Sequence, residues 1–393
     1  MENIKQVIYL DNNATTQIDK RVLDAMMPFL TYEFANANST HQFGSKAYEA
    51  VKVARFQVSE LIGSEPHEIV FTSGSTEAIN IAIKGVAENY QSKGKHIVTL
   101  TTEHSAVLDT CRYLELKGFE VTYLSVSSDG LVDLDELKSS LRDDTILVSV
   151  MHANNETGVI QPIKLIAELA HGVGALFLSD VTQTAGKIDV QVDELGIDLL
   201  CLSGHKLYAP KGVGALFVRQ RMNRVKIPAL LHGGGHEKGI RSGTLNVPGI
   251  VAMGIACDIA KKEMSQNAKI IGSLRDYLET ELLKIEGTSV NGNVISRLFN
   301  TSNVLFRGAD SDALIMGLSN PDNSLPLIAV SNGSACTSTS IEPSHVLTAM
   351  GLDEVSAFCA IRFSIGRFNT QEEIETVIES VKVVVRHLRS MVF

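Results

Sequence analysis

Between about residues 68 and 218 the chain repeats one pattern: a short apolar run, a polar loop, and then apolar residues at helical spacing. This alternation predicts a mainly parallel sheet with helices on both faces, because parallel neighbours need a crossover connection. The predicted strands of this seven-stranded sheet are 68–72, 97–100, 121–124, 146–151, 175–179, 199–202 and 213–218. The fold class is therefore α/β.

The pattern is different on either side of this block. Before it, we predict helices over 19–30 and 45–63, the second with Ser45 as its N-cap. After it we predict helices 247–264, 267–285, 343–350 and 371–386, and strands 302–306, 327–331 and 360–365. The prediction is a large domain over 15–258 and a smaller α/β domain, formed by 1–14 and 259–393, that carries a cysteine loop at about 331–340.

Polar residues follow the carboxyl ends of five different predicted strands: Thr76, His104, Asn155, Asp180 and Lys206. Ligands of such sheets bind outside the carboxyl ends of the strands. Five convergent polar groups therefore indicate one functional site.

Lys206 follows a buried strand in the stretch LLCLSGHKLYAPKGVG. A lysine at this position loses part of its hydration, which favours the neutral amine that forms a Schiff base with a carbonyl. A solvated loop lysine is the ordinary alternative. The polar residues predicted at the neighbouring strand ends argue against it.

A phosphate site is predicted where Gly74, Ser75 and Thr76 open a helix directly after a strand. Free N–H groups and the helix dipole favour an anion there, and Ser203 and His205 supply further donors. The alternative is a simple N-cap.

Asp180, after the strand ALFLS, is a carboxylate that needs a partner if it is buried. A protonated pyridine nitrogen is one partner, and its proton makes pyridoxal phosphate an electron sink. Capping of the next turn is the alternative. Gln183 and Asn155 are placed to hydrogen-bond the ring hydroxyl, and His104 to stack on the ring and titrate beside the reacting carbon.

Two further residues lie in the smaller domain. Cys336, in the hydroxyl-rich run SNGSACTSTS, indicates a loop thiol able to ionise and attack rather than a core cysteine; a bystander is the alternative. Arg362 is a charge within an apolar segment. It predicts a bidentate site for a substrate carboxylate, or else an internal salt bridge.

Composition limits which classes of binding partner the sequence allows us to expect. The chain of 393 residues is 44% hydrophobic, 20% charged and carries a net charge of −10, which argues against a nucleic-acid backbone as the main partner. Five cysteines match neither a disulfide framework nor a zinc site, so no metal is expected. Without a bilayer-length apolar run or a signal-peptide pattern, we expect no membrane association and a cytoplasmic location.

The chain resembles the pyridoxal-phosphate-dependent cysteine desulfurases of the nitrogen-fixation and iron–sulfur-cluster type, within the fold-type I, class V aminotransferase group. The motifs that carry the resemblance are YLDNNATT, FTSGSTEAINIAIKG, TEHSAVLDTCRYL, MHANNETGVIQPI, SDVTQTAGK, LSGHKLYAPKGVGALF, GGGHEKGIRSGTLN, GSACTSTSIEPSHVL and IRFSIGRFNT. SGHK and GSACTS together are highly specific for this group. One departure is Ala35-Asn36-Ala37, where the family has Gly-Asn-Pro.

The resemblance implies a role for each site residue. It assigns the covalent cofactor link to Lys206, the pyridine nitrogen to Asp180, the ring hydroxyl to Gln183, stacking to His104, a place beside the ring to Asn155, the phosphate to Ser75, Thr76, Ser203 and His205, a phosphate contact from the other subunit of a homodimer to Thr244, the substrate carboxylate to Asn36 and Arg362, and the sulfur to Cys336. The implied activity converts L-cysteine to L-alanine and passes the persulfide sulfur to a protein acceptor. The alternatives are a selenocysteine lyase or other β-eliminating lyase, a transaminase, and a non-catalytic binding protein.

Overall fold

The computed structural model describes residues 7–221, 224–320, 326–332 and 342–391. Its strands are β1 (Val7–Tyr9), β2 (Ile69–Thr72), β3 (His96–Leu100), β4 (Glu120–Leu124), β5 (Thr145–Ser149), β6 (Leu176–Asp180), β7 (Leu199–Ser203), β8 (Gly214–Val218), β9 (Thr288–Val290), β10 (Thr301–Phe306), β11 (Leu327–Ala329) and β12 (Ala360–Ser364). Its helices are α1 (Lys20–Thr31), α2 (Gln42–Ile62), α3 (Ser75–Tyr90), α4 (Ser105–Glu115), α5 (Leu134–Ser140), α6 (Ile163–Gly172), α7 (Val247–Leu282), α8 (Ser311–Ser319), α9 (His345–Ala349), α10 (Glu354–Ala357) and α11 (Gln371–Met391).

The central sheet has seven strands in the order β2-β8-β7-β6-β5-β3-β4. Only β8 runs against the others, since it pairs antiparallel with both β2 and β7. The inner strands β5, β7 and β8 are buried at every position, as expected for strands covered by helices on both faces. The predicted α/β class with a mainly parallel seven-stranded sheet is confirmed.

The N-terminus of α2 differs from the prediction. The helix begins at Gln42, and the side chain of His41, not Ser45, caps it by accepting from the Gly44 N–H. An imidazole nitrogen accepts a hydrogen bond as a hydroxyl does, but histidine is not among the residue types by which caps are recognised in a sequence. The helix therefore begins three residues earlier than predicted.

The two helices predicted over 247–264 and 267–285 are one continuous helix, α7. The residues between the two predicted helices, Ser265 and Gln266, include neither glycine nor proline, so nothing interrupts the backbone hydrogen bonds. The predicted domain boundary after residue 258 falls within this helix, and the division into two domains stays a prediction.

A second hydrophobic cluster lies beyond the central sheet. A three-stranded antiparallel sheet, β12-β10-β9, packs with α8, α11 and the end of α7, and residues Ile8 and Leu10 join the same cluster. The strand β1 pairs with β11, 320 residues later in the register Val7↔Leu327. The short strand β9 and the helices α8 and α10 were not predicted, because each is too short to show a clear periodicity. Among the described helices, none is long and apolar enough to cross a membrane.

Candidate functional site

The carboxyl ends of β6 and β7 bring the two central charges of the site together. Asp180 is the last residue of β6, and Lys206 ends a single helical turn, Gly204–Lys206, that directly follows β7. The two strands are parallel neighbours in the sheet, with Asp180 opposite Cys201. The structure therefore places Asp180 and Lys206 at the same edge, where the Asp180 charge acts to raise the pKa of Lys206.

The Lys206 amine is held by the N-terminal segment. Its Nζ donates to the carbonyl oxygen of Ala14 at 2.6 Å and to the carbonyl oxygen of Asn13. Burial, reinforced by the nearby Arg362 guanidinium, lowers the pKa of Lys206 from 10.5 to about 8, while Asp11 and Asp180 oppose the shift. A sizeable fraction of the amine is therefore uncharged near neutral pH, as a nucleophilic amine requires.

Asn13 connects this lysine with the rest of the protein. Its carbonyl oxygen accepts from Lys206 and, at 3.0 Å, from Gln183 Nε2. Its side chain donates to Thr301 Oγ1 at 2.9 Å and accepts from Asn300 Nδ2 at 3.0 Å. Sequence reasoning missed this residue as part of the site, although it lies in the motif YLDNNATT.

His104 is the N-cap of α4, and its hydrogen bond fixes the proton on its ring. Nδ1 accepts from the Ala106 N–H at 3.0 Å, so the neutral ring carries its proton on Nε2. Burial lowers the pKa of His104; Asp180 opposes this shift and Lys206 adds to it. The neutral ring therefore offers an N–H donor rather than a free lone pair.

The carboxylate of Asp180 does cap the following turn, as the alternative interpretation predicted. Its Oδ1 accepts from the Thr182 N–H at 2.9 Å. The residue is 9% exposed, and its Oδ2 makes no hydrogen bond among the described residues. Turn capping and a ligand contact therefore use different oxygens of one carboxylate and do not exclude each other.

The N-terminus of α3 has the features of an anion site. Its N-cap is Gly74, which has no side chain to cover the first N–H groups, and Ser75 and Thr76 follow directly. A Cβ on Gly214 of β8 would lie 2.6 Å from Gly74 Cα, so only glycine allows the strand to approach this turn so closely. A Cβ on Gly74 would lie 3.7 Å from Ser203 Oγ, which places the Ser203 hydroxyl beside the turn.

His205 lies in the helical turn that follows β7, as a neutral ring. Burial, with the charges of Lys206 and Lys211, lowers its pKa to about 4. Its Nδ1 lies 3.2 Å from Thr15 Oγ1. Thr76 and His104 line a common pocket of about 280 Å³, whose other lining residues belong to α3 and α4.

Arg362 is held in an internal salt bridge. Its Nη2 donates to Asp11 Oδ1 at 2.7 Å and its Nη1 to the Asn155 carbonyl oxygen at 3.0 Å. The arginine side chain is 6% exposed and that of Asp11 is 20% exposed. The alternative that sequence reasoning left open is therefore realised, and a substrate carboxylate would share this guanidinium with Asp11.

Two fully buried acids near the strand ends were also missed. Burial raises the pKa of Glu103 well above its usual range, and its Oε1 accepts from the Met151 N–H at 2.6 Å. Burial raises the pKa of Glu156 to about 7, although a hydrogen bond from Ser344 opposes the shift. Both follow polar residues in motifs, TEH and HANNE, where a sequence gives no sign of burial.

Three predicted site residues are not gathered at this edge. Asn36 is exposed in the turn between α1 and α2, where its Oδ1 accepts from the Asn38 N–H at 2.9 Å. Thr244 is exposed in the loop before α7. Cys336 lies outside the described residues.

A planar aldehyde that carries a phosphate fits these groups. The shifted amine of Lys206 suits the aldehyde, the uncapped end of α3 suits the phosphate, and Asp180 suits a ring nitrogen between them. Among the described residues, no group of three histidine, cysteine or acidic side chains has the arrangement of a metal site.

Comparison with known proteins agrees with this arrangement. The family model "Aminotransferase class-V", whose members depend on pyridoxal phosphate, matches residues 8–377. The chain is 52% identical over 391 residues to a protein of Haemophilus influenzae named cysteine desulfurase IscS, covering 99% of this chain and 95% of that one.

Two solved structures are similar throughout. A NifS-like protein is 38% identical, with a TM-score of 0.90 over 97% of this chain and 100% of that one. A structure described as SspA in complex with cysteine is 36% identical, with a TM-score of 0.80 over 93% of this chain and 100% of that one. The match covers nearly the whole chain, including the residues of the site. This chain therefore belongs to the class-V aminotransferase family and, within it, to the group of IscS- and NifS-like proteins.

Proposed function

We propose that the protein is a cysteine desulfurase that uses pyridoxal phosphate and serves iron–sulfur cluster biosynthesis. The single observation that carries the proposal is the Lys206 amine, partly uncharged and held at the strand ends of a chain 52% identical to a protein of that name. The similar structure described with cysteine supports L-cysteine as the substrate.

Each group of the site has a place in this proposal. Lys206 links to the cofactor, Asp180 pairs with its ring nitrogen, and His104 stacks on the ring. Further contacts come from Gln183 and Asn155 to the ring oxygen, and from Ser75, Thr76, Ser203 and His205 to the phosphate. The bound cofactor supplies an electron sink for the substrate carbon next to the amino group.

Two residues transfer protons, one as a general base and the other as a general acid. The uncharged Lys206 amine accepts the proton from the substrate Cα, since its lone pair is free once the substrate has displaced it. His104 donates from Nε2, because its Nδ1 lone pair is occupied by the Ala106 N–H. The hydrogen-bonding therefore divides the work into a base and an acid.

The sulfur step is balanced within the enzyme and its substrate. The Cβ–S bond of cysteine breaks, an S–S bond forms to the Cys336 sulfur, and the thiol proton replaces sulfur on the carbon to give L-alanine. Arg362 binds the substrate carboxylate. The persulfide then passes to a thiol of an acceptor protein.

The test supplies the holoenzyme with L-cysteine labelled with radioactive sulfur, without reductant, and measures alanine and protein-bound label. We expect one alanine for each labelled sulfur and label on the peptide that contains Cys336. The variant Cys359→Ala, which removes a buried cysteine, is the matched control and is expected to leave labelling intact.

Three results would overturn the proposal. Full alanine production by Cys336→Ala would show that the substrate sulfur leaves without a Cys336 persulfide, as elemental sulfur in the absence of reductant. Full alanine production by Lys206→Ala would remove the lysine from the chemistry. Pyruvate-dependent amino-group transfer by the wild-type protein would indicate a transaminase instead.

We further propose that the protein is a homodimer in which Thr244 contacts the phosphate of the other subunit. Exposed aromatic side chains support an interface near the α1–α2 connection: Tyr32 is 64% exposed, Phe34 75% and Phe43 59%. Light scattering should give twice the chain mass for the wild type and a smaller species for a Phe34→Asp, Phe43→Asp variant. The cytoplasmic location stays a prediction.

A further inference from the structure

We propose that Lys187 is a positioning residue that holds the Gln183 amide so that it donates to the ring oxygen of the cofactor. Lys187 lies in the turns that follow β6, and its Nζ donates to Gln183 Oε1 at 3.1 Å. The inference rests on the proposed function, because it needs the cofactor ring beside Gln183.

The neighbours of the amide settle which way it faces. A backbone carbonyl oxygen only accepts, so the Gln183 atom 3.0 Å from the Asn13 oxygen is the nitrogen. The Oε1 atom then faces Lys187, which satisfies it. One of the two Nε2 hydrogens is used by Asn13, and the second remains for a ligand.

This arrangement ties the amide to the reactive lysine. The Asn13 oxygen that accepts from Gln183 also accepts from Lys206. The donor group of Gln183 is therefore fixed next to the amine that links to the cofactor. Without Lys187, the amide is held at one atom only and its Oε1 loses a partner in a buried position.

The charges around Lys187 suit a donor that is not permanently ionised. Burial, with the positive charges of Lys206 and Arg362, lowers its pKa to about 7. An uncharged amine still donates its hydrogen bond and places no additional charge beside Lys206. An arginine here would remain charged, so glutamine is the suitable replacement that keeps a donor.

The test compares two cofactors in three proteins. Pyridoxal phosphate and 3-deoxypyridoxal phosphate, which lacks the ring oxygen, are titrated into the wild type, Lys187→Met and Lys187→Gln, and visible absorbance gives the dissociation constants. We expect Lys187→Met to weaken pyridoxal phosphate about tenfold, to leave the deoxy compound unchanged, and Lys187→Gln to recover most of the loss. Lys164→Met, on the exposed face of α6, is the matched control.

A second measurement isolates the route through Gln183. The pH midpoint of the cofactor's visible band in the holoenzyme is expected to rise by about one unit in Lys187→Met, because the ring oxygen loses its donor. In a Gln183→Leu background, the same lysine substitution should add no further shift.

Equal weakening of both cofactors, or an additional shift in the Gln183→Leu background, would overturn the inference. If Lys187→Met does not fold, Lys187→Gln is compared with Gln183→Leu in the same titrations. If Gln183→Leu loses affinity for pyridoxal phosphate selectively while no Lys187 variant does, the result counts against a role for Lys187. A wild type that binds neither cofactor would instead refute the proposed function.

Discussion

The lowered pKa of Lys206 predicts how fast the cofactor-free protein captures pyridoxal phosphate at each pH. Only the uncharged amine attacks the aldehyde. With a pKa of about 8, about a tenth of the amine is uncharged at pH 7. An ordinary lysine with a pKa of 10.5 would be uncharged in only about one molecule in 3,000, so the site gains about 300-fold in reactive amine.

A substitution of Arg362 separates the two causes of the lowered pKa of Lys206. Burial is the larger one and Arg362 the next, so Arg362→Gln should raise the pKa of Lys206 while leaving burial intact. The profile of capture rate against pH is therefore expected to level off near pH 8 in the wild type and at a higher pH in the variant. Below its midpoint each profile should rise about tenfold per pH unit.

The assay is stopped-flow absorbance at saturating cofactor between pH 6 and pH 10. A parallel series with butylamine corrects for titration of the cofactor itself, and borohydride trapping followed by mass spectrometry identifies the modified lysine. A wild-type rate that still rises tenfold per unit beyond pH 9 would refute the lowered pKa. An identical midpoint in Arg362→Gln would refute the contribution of the guanidinium.

Three further predictions concern stability and packing. Glu237→Gln should lower the free energy of unfolding by about 3 kcal/mol, because it leaves the largely buried Arg55 guanidinium without its ion pair, whereas Glu49→Gln, in an exposed pair with Lys52, should leave it unchanged in the same denaturant titration. Gly214→Ala should destabilise the protein by about 2 kcal/mol and weaken cofactor retention in dialysis, while Gly172→Ala, with open space around its Cβ, should do neither. Glu156 has a folded-state pKa of about 7 against 4.5 unfolded, so the folded state binds the extra proton and loses up to about 3 kcal/mol of stability as the pH rises from 4.5 to 7; unfolding at several pH values should show this slope in the wild type and not in Glu156→Gln.

Sequence reasoning succeeded where chemistry and strand order coincide. Asp180 and Lys206 follow two consecutive predicted strands, and β6 and β7 are parallel neighbours. The strand-end rule needs only the order of apolar runs and loops, so it brought the polar groups of the central sheet to one edge. It could not reveal that Arg362 is paired with Asp11, since a salt bridge across the chain leaves no local pattern.

Two physical reasons explain why these residues were missed. Asn13 acts through its backbone carbonyl, which every residue type possesses, so its identity gives no sign of the contact with Lys206. Lys187 and Glu156 are important because they are buried, and burial of a polar side chain is set by tertiary packing rather than by its neighbours in sequence. Motif resemblance pointed to these segments but not to what each residue does in them.

The salt bridge between Asp11 and Arg362 joins residues 351 positions apart. During synthesis the ribosome must release Arg362 before this pair can close, although the central sheet, whose last strand ends at Val218, could fold much earlier. Until then, the segment that contains Asn13 and Ala14, whose carbonyl oxygens accept from Lys206, cannot form its hydrogen bond with β12. The nascent protein therefore cannot complete its cofactor site, and loading with vitamin B6 becomes an event that follows translation.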